Sequence, residues 1–147
     1  MTEPLVRPVE RADHERLREL TYESKAHWGY DRDLVRRWAE GLTFEGGQER
    51  WVAEADGEIV AWAGIVPPLD GVAVLEDLWV EPQAIGLGIG TTLFRHAAVR
   101  AQALGARELQ WEAEVNAVGF YERMGAETLG TVTSSWGRTL PLMRVAL

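Results

Sequence analysis

The stretch Val80-Glu81-Pro82-Gln83-Ala84-Ile85-Gly86-Leu87-Gly88-Ile89-Gly90-Thr91-Thr92-Leu93 decides the fold, because it joins a strand-like run to a helix-like run through a glycine-rich loop. Glycines at every second position allow positive φ and let a ligand approach the backbone closely. The first N–H groups of the helix have no intrahelical partner and carry the positive end of its dipole. The stretch therefore predicts an anion site, most often for phosphate, and a tight turn without a ligand is the competing interpretation.

The glycine spacing fits neither of two common phosphate loops. The dinucleotide fingerprint needs its third glycine one residue later, and the P-loop needs a lysine after a glycine. The stretch resembles the Q/R-x-x-G-x-G/A segment of the GNAT-type, acetyl-CoA-dependent N-acetyltransferases, with Gln83, Gly86 and Gly88 at the named positions. Ile85 stands where many members carry Arg or Lys. The resemblance implies that acetyl-CoA is bound by Gln83, Ile85, Gly86, Leu87, Gly88, Ile89, Gly90 and Thr91.

A second segment, Asn116-Ala117-Val118-Gly119-Phe120-Tyr121-Glu122-Arg123-Met124-Gly125-Ala126, resembles the other marker of this family, N-x-x-A-x-x-F-Y-E-K-x-G-F. Asn116 lies directly before Ala117 instead of three residues before it, whereas Phe120 and Tyr121 are in register. The resemblance implies cofactor contacts from Asn116, Phe120 and Tyr121. Together with the order of elements, the two motifs extend the resemblance over nearly the whole chain.

The sequence predicts the element order β-α-α-β-β-β-α-β-α-β-β. Asp13 and Asp31 are expected to cap the first two helices, which end near residues 28 and 42. The dipeptide Asp56-Gly57 is typical of a type I′ hairpin, and a turn is expected from Pro67-Pro68 to Asp70-Gly71. The later strands are expected at 72–80, 109–114, 127–134 and 140–147, and the later helices at 89–104 and 117–123. The fold class is α/β, with a mixed, mostly antiparallel central sheet of about seven strands and helices on both faces, as in the GNAT fold.

Composition limits the classes of function. With 147 residues, we expect one domain over residues 1–147. The net charge of −8 argues against nucleic-acid binding. The absence of cysteine excludes disulfides and thiol nucleophiles, and the three histidines lack metal-like spacing, so no metal is predicted. The apolar run at 59–66 is too short to span a membrane and no signal-peptide pattern is visible, so we expect a cytoplasmic protein. The oligomeric state stays open and a homodimer is compatible with the sequence.

The resemblance also implies how acetyl transfer is catalysed. A bulge in the strand before the glycines splays it from the next strand, and the backbone of Leu78, Trp79 and Val80 meets the thioester oxygen, where a backbone donor stabilises developing charge. The attacking ammonium must first lose a proton, for which Glu76 and Glu112 are the candidate bases. Tyr121 is the candidate acid for the leaving thiolate. The competing interpretations are solvated strand carboxylates and a half-buried aromatic whose hydroxyl is satisfied.

The acceptor pocket is expected between the first two helices and the loop at 134–138. Its candidate residues are His27, Trp28, Tyr30, Trp38, Trp136 and Arg138. Arg138 is suited to a substrate carboxylate through a bidentate fork, although core tryptophans and a surface ion pair are the simpler interpretation. We therefore expect direct transfer from acetyl-CoA to a primary amine of a small molecule. The alternatives are a protein N-terminal or lysine acetyltransferase and a non-catalytic acyl-CoA-binding module.

Overall fold

The structure is a computed structural model that describes residues 3–147. Seven strands and four α-helices follow one another in the predicted order. They are β1 Leu5–Pro8, α1 His14–His27, α2 Arg32–Glu40, β2 Glu49–Ala55, β3 Glu58–Leu69, β4 Val72–Val80, α3 Ile89–Ala103, β5 Glu108–Glu112, α4 Val118–Arg123, β6 Glu127–Thr133 and β7 Thr139–Ala146. Short 3-10 turns at Arg11–Asp13, Pro82–Ala84 and Val115–Ala117 precede α1, the glycine loop and α4.

The seven strands form a single sheet in the order β1-β2-β3-β4-β5-β7-β6. Every neighbouring pair is antiparallel except β4 and β5. A parallel pair needs a crossover connection, and α3 supplies it. The mixed, mostly antiparallel sheet is therefore confirmed, and Pro8 lies in an edge strand, as its missing N–H favours.

Helices cover both faces of the sheet. Trp51 and Ala53 of β2 belong to the core beneath α3, whereas Val52 between them packs with Leu17 and Leu20 of α1. Alternate residues of a strand point to opposite faces, so α1 and α3 lie on opposite sides. The α3 face repeats small and apolar residues at a spacing of four, namely Leu93, Ala97 and Ala101, all fully buried.

The predicted hairpin is present, but the second turn is shorter than predicted. Asp56 and Gly57 have φ of 52° and 81°, as a type I′ turn requires, and Asp70-Gly71 repeats this conformation between β3 and β4. The prediction that Pro67-Pro68 belong to a turn is wrong, because β3 continues to Leu69. The β3–β4 register shifts between Val66 and Leu69, so both prolines sit where the ladder is already interrupted and their missing N–H groups cost no regular pair.

The cap of α2 is as predicted, whereas the cap of α1 and the ends of two elements differ from the sequence predictions. Asp31 caps α2, accepting from the N–H groups of Asp33 and Leu34 at 3.0 Å. Asp13 precedes α1 as predicted but does not cap it, because Arg7 and the Glu10 N–H occupy its carboxylate at 2.7–3.0 Å. The α2 helix ends at Glu40, two residues early, and β5 ends at Glu112, before the chain turns into its 3-10 segment.

The site is positioned by a bulge in β4 and by the divergence of β4 from β5. Gly64 of β3 pairs with Asp77 but Ile65 pairs with Leu75, so Glu76 is an extra residue in β4. The parallel pairing of β4 with β5 covers only Val72 to Val74. The predicted splay is thus confirmed, and it opens a cleft between the two strands beside the glycine loop.

Candidate active site

A cavity of about 590 Å³ fills the cleft between β4 and β5 and extends beneath α1. Its walls come from α1, β4, the glycine loop, the end of β5, α4 and the β6–β7 loop. Among the predicted site residues, those that line the cavity are Trp28, Glu76, Leu78, Trp79, Val80, Ile85, Gly86, Gly88, Gly90, Thr91, Glu112, Phe120, Tyr121 and Trp136. The structure thus brings both sequence motifs and both candidate bases to one place.

The glycine loop adopts the conformation that its spacing predicts. Gly86 and Gly88 have φ of +86° and +84°, a region that favours glycine, and a Cβ on either would meet no atom of residues 3–147 within 4 Å. The Thr92 N–H donates to the Gly88 carbonyl at 3.1 Å, whereas the earlier helical N–H groups, from Ile89 to Thr91, have no acceptor inside α3. Open space and free donors at a helix N-terminus suit the phosphates of acetyl-CoA.

Four predicted cofactor residues lie outside the lining of the cavity. Gln83 and Leu87 are exposed, and they border a separate depression on the other side of the loop together with Ile89. The Ile89 side chain is 1% exposed and belongs to the core. Asn116 is exposed in the 3-10 turn before α4. Ile89 can therefore contribute to the anion site through its backbone but not through its side chain.

The cavity edge of β4 carries the predicted oxyanion segment. Leu78, Trp79 and Val80 pair with β3 on one side, through Ala63, Trp62 and Ala61. On the other side no strand of the described chain pairs with them, because β5 has already diverged. Alternate N–H groups of a strand point to opposite edges, so this segment presents backbone donors to the cavity.

Tyr121 is packed so that its ring is fixed. It is 7% exposed and its ring lies against Phe94, Trp111 and Phe120, with centroids 5.8, 4.8 and 5.1 Å away. Burial raises the pKa of Tyr121 well above its usual value, and the carboxylate of Glu114 adds to this. Within residues 3–147 the hydroxyl makes no hydrogen bond. At neutral pH it is therefore a protonated, unused donor at the cavity wall.

Three carboxylates surround the cavity, and the sequence indicated only two of them. Glu76, in the bulge, is exposed and accepts from Gln48 Nε2 at 3.1 Å; Glu112, at the end of β5, is also exposed. Glu114 is half-buried and accepts a 2.6 Å hydrogen bond from the Tyr30 hydroxyl. Burial raises the pKa of Tyr30 to about 12, and Glu114 contributes to this shift. The predicted strand at 109–114 ends on Glu114, two residues after Glu112 and so on the same face, and this spacing was the available signal.

Lys25 of α1 also lines the cavity and was missed. It is 7% exposed, and the rings of Tyr30, Trp38, Trp79 and Trp136 surround its Nζ with centroids 4.3–5.7 Å away. Together these four rings form an aromatic box. Burial lowers the pKa of Lys25, while the Glu114 carboxylate acts in the opposite direction. A signal existed, since Lys25 is the only lysine among the 15 lysine and arginine residues of the chain.

The predicted acceptor residues divide between the cavity wall and a layer behind it. Trp28 and Trp136 line the cavity, but Tyr30 and Trp38 contribute their rings to the box around Lys25 without lining it. Arg138 does not line the cavity: its guanidinium lies 3.5 Å from the Tyr30 ring centroid and donates to the Trp28 carbonyl at 3.2 Å. His27 is exposed beside Trp28 and also lies outside the lining.

Asp77, next to the bulge, is a further carboxyl that the sequence did not single out. It is half-buried on β4, and its Oδ1 accepts from the Trp79 indole N–H at 2.9 Å. Burial raises the pKa of Asp77 to about 6, although the indole hydrogen bond acts against the shift. Trp79 is thereby fixed between this carboxyl and the box around Lys25.

The described residues contain neither a group of metal-ligating side chains nor a helix suited to cross a membrane. From residue 3 to 147, no three His, Asp or Glu side chains are grouped as metal ligands would be. None of the helices in that range has the length and apolarity needed to cross a membrane.

Known proteins similar to this chain were compared with it. The chain has 25% identity and a TM-score of 0.82 with a GCN5-related N-acetyltransferase from Rhodopseudomonas palustris, covering 100% of this chain and 98% of that one. A GCN5-related N-acetyltransferase from Kribbella flavida also has 25% identity, with a TM-score of 0.77 and coverage of 99% and 98%. The PaiA N-acetyltransferase from Thermoplasma acidophilum, in complex with coenzyme A, has 18% identity, a TM-score of 0.76 and coverage of 99% and 100%, a likeness of fold alone.

Comparison with curated protein sequences gives no significant match. The model of the acetyltransferase (GNAT) family matches residues 12–126, which include both motifs and the whole glycine loop. That match covers well over half of the chain. The chain therefore belongs to the acetyltransferase (GNAT) family, whose cofactor is acetyl-CoA.

Proposed function

We propose that this acetyltransferase moves the acetyl group of acetyl-CoA directly to a primary amine of a small molecule. The observation that carries the proposal is the continuity of one cavity from the glycine loop to an aromatic wall made by Trp28, Trp79 and Trp136. An aromatic wall encloses a small acceptor and strips it of water, whereas a peptide acceptor needs a groove open at both ends.

The residues that would hold the cofactor are those of the glycine loop and the free edge of β4. The N–H groups at the start of α3 would bind its phosphates, as helix N-termini do. The Phe120 ring lies 3.5 Å from the place that a Cβ would occupy on Gly90, so the second motif supports the loop. When bound, acetyl-CoA supplies an activated acyl group whose carbonyl oxygen gains negative charge during attack. The unpaired β4 backbone at 78–80 would donate to that oxygen.

Protons move through carboxylates on one side and Tyr121 on the other. Glu112 or Glu76 would take the proton from the acceptor ammonium, directly or through water. Burial keeps the Tyr121 hydroxyl protonated and, within residues 3–147, it makes no hydrogen bond, so it can donate to the departing sulfur. Without cysteine, the chain has no thiol to carry the acetyl group, which favours direct attack by the amine.

The decisive experiment is a thiol-release assay with acetyl-CoA and a broad panel of small amines, run beside lysine-containing peptides. We expect release to depend on one class of small amine, with peptides inactive. Release only with peptides would replace the proposal by a protein acetyltransferase. Binding of acetyl-CoA without release for any amine would indicate the non-catalytic module.

Cofactor binding is tested separately by thermal unfolding. Acetyl-CoA at about a hundredfold excess over its Kd should stabilise the protein by about 2.7 kcal/mol. NAD and ATP should leave the melting temperature unchanged, because the glycine spacing fits neither of their loops. Equal shifts with all three would contradict a site selective for acetyl-CoA.

A further inference from the structure

The side chain of Lys25 carries a buried positive charge that the protein stabilises but does not pair. Its Nζ lies over the faces of four aromatic rings, which attract a cation from the sides. Rings offer no lone pairs in line with the three N–H bonds, and within residues 3–147 the ammonium makes neither a hydrogen bond nor an ion pair. Burying an ammonium without such partners is costly, so the N–H donors of Lys25 are available to an oxygen ligand.

The charges around Lys25 do not balance. The groups whose charges act on it are Glu114 and Arg138, one carboxylate and one guanidinium. Glu114 is already engaged by the Tyr30 hydroxyl at 2.6 Å. Glu76 and Glu112 also line the cavity but are not among the charges that act on Lys25, so Lys25 and Arg138 against Glu114 leave one unit of positive charge around the ammonium. A single carboxylate would neutralise it.

The position of Lys25 in the cavity wall determines what its free N–H donors can reach. Ser24, Lys25 and Trp28 are the α1 residues in the cavity wall. Of the four rings around the ammonium, those of Trp79 and Trp136 also line the cavity, whereas those of Tyr30 and Trp38 do not. Arg138 is not in the wall, and its guanidinium is held by the Tyr30 ring and the Trp28 carbonyl. Of the two cations, only Lys25 meets the space where an acceptor would lie.

The residue type also fits. All other basic side chains except the histidines are arginines, yet this position has the lysine. An ammonium is a compact point charge on a flexible stem, whereas a planar guanidinium needs more room between four rings. The box therefore suits lysine specifically.

We propose that Lys25 binds a carboxylate of the acceptor, so that the substrate class is amines that also carry a carboxylate. This inference rests on the proposed function and deepens it. The carboxylate accepts from the Lys25 ammonium while the amine lies toward Glu76, Glu112 and the free edge of β4. The aromatic rings of Trp28 and Trp136 contact the apolar part between the two groups.

The first test uses acceptors matched in everything except the carboxylate. The pairs are γ-aminobutyrate with 4-aminobutan-1-ol and phenylalanine with phenylalaninol, each assayed by thiol release. In the parent protein we expect kcat/KM to favour the carboxylate member of at least one pair by about tenfold or more, as charge-assisted hydrogen bonds do. Lys25→Met should bring this ratio to within about twofold of one, and Lys25→Arg should retain part of it.

Arg138→Gln is the matched control, because it removes the neighbouring cation behind the wall. In Arg138→Gln, the ratio of kcat/KM for the carboxylate acceptor to kcat/KM for the amino alcohol should stay well above the ratio in Lys25→Met. A parent that uses amino alcohols as well as amino acids, or a Lys25→Met variant with an unchanged ratio, overturns the proposal. If no amine in the panel supports release, the proposed function itself fails, which is a different result.

The second test needs no variant and no turnover. Protein grown with ¹³Cε-lysine gives one ε-methylene signal, because the chain has one lysine. At least one of N-acetyl-γ-aminobutyrate and N-acetylphenylalanine should shift this signal saturably, and the matching N-acetyl amino alcohol should not. No shift with either carboxylate, or an equal shift with inorganic phosphate, would show that Lys25 is not a carboxylate site.

Discussion

Tyr30 and Glu114, which are 84 positions apart in the chain, are joined by a hydrogen bond of 2.6 Å from the phenol to the carboxylate. The bond connects the segment between α1 and α2 to the segment just after β5, where Glu114 lines the cavity. It also fixes the carboxylate whose charge acts on Lys25. The cavity wall around Lys25 is therefore held together by a polar contact between distant segments.

Tyr30→Phe should destabilise the protein by about 1–2 kcal/mol, since hydrogen bonds to charged groups contribute about 1.5–3 kcal/mol and leave an unsatisfied oxygen when removed. Urea unfolding measures the change. Tyr22→Phe is the control, because the Tyr22 hydroxyl contacts Arg32 and Arg36 at the surface of α2. That variant should change stability by no more than about 0.5 kcal/mol. Equal effects of the two substitutions would deny the Tyr30–Glu114 bond a structural role.

Asp77→Asn should stabilise the protein above about pH 6. Burial raises the pKa of Asp77 from 3.8 to about 6 in the folded chain. Between pH 3.8 and about 6 the unfolded chain has released the Asp77 proton whereas the folded chain keeps it, so the free energy of unfolding falls as the pH rises. The stability that this group contributes is therefore fully present below about pH 4 and is lost as the pH rises through about 6. Asparagine stays neutral and can still accept from the Trp79 indole.

The gain from Asp77→Asn should thus be near zero at about pH 4 and approach, at most, about 3 kcal/mol at about pH 7. Melting curves of parent and variant at several pH values measure it. A difference in melting temperature that is independent of pH would show that Asp77 is already ionised at low pH in the folded protein.

Gly88→Val should weaken acetyl-CoA binding by about tenfold or more, because a side chain would occupy the open side of the loop where phosphates approach. Positive φ also makes the substitution strained, by about 1–3 kcal/mol. Gly57→Val is matched for that strain, since Gly57 has φ of +81° and equally open surroundings in the β2–β3 hairpin. Titration calorimetry should find parent-like affinity for acetyl-CoA in Gly57→Val and weakened affinity in Gly88→Val. Parent-like affinity in both variants would reduce the loop to a simple turn.

The parts of this molecule that could be predicted are those encoded by neighbours in sequence. The positive φ of Gly86 and Gly88 and the Asp56-Gly57 hairpin depend on local chemistry, and each was confirmed. The box around Lys25 was not predictable in this way, because its rings come from three separate segments. Likewise, Asp13 has the right position for a cap, but a distant Arg7 takes its carboxylate.

Glu112→Gln should lower kcat/KM at about pH 7 by about 10²-fold or more if Glu112 is the base. The deficit should shrink as the pH approaches about 10, because the amine then loses its proton to solvent. Glu76→Gln, in the bulge on the facing strand, is the comparison. A deficit in Glu76→Gln alone would transfer the role to Glu76, and a deficit that does not change with pH would contradict base catalysis by either.

Tyr121→Phe should lower kcat by about 10²-fold and leave acetyl-CoA affinity nearly unchanged. The low end of general acid catalysis is expected, because a thiolate with a pKa near 8.5 is already a fair leaving group. The ring contacts with Phe94, Trp111 and Phe120 survive in phenylalanine. The lost hydroxyl has no hydrogen bond to the rest of the described chain, so stability should not fall.

The stability of Tyr121→Phe separates its chemical role from its structural one. A variant that melts with the parent but turns over about 10²-fold more slowly assigns the hydroxyl to the leaving sulfur. Turnover within about twofold of the parent would mean that water protonates the sulfur. A loss of activity accompanied by a lower melting temperature would instead mean that the hydroxyl supports the packing of α4 against β5. The phenol is buried and makes no hydrogen bond within residues 3–147, so the first outcome is the expected one.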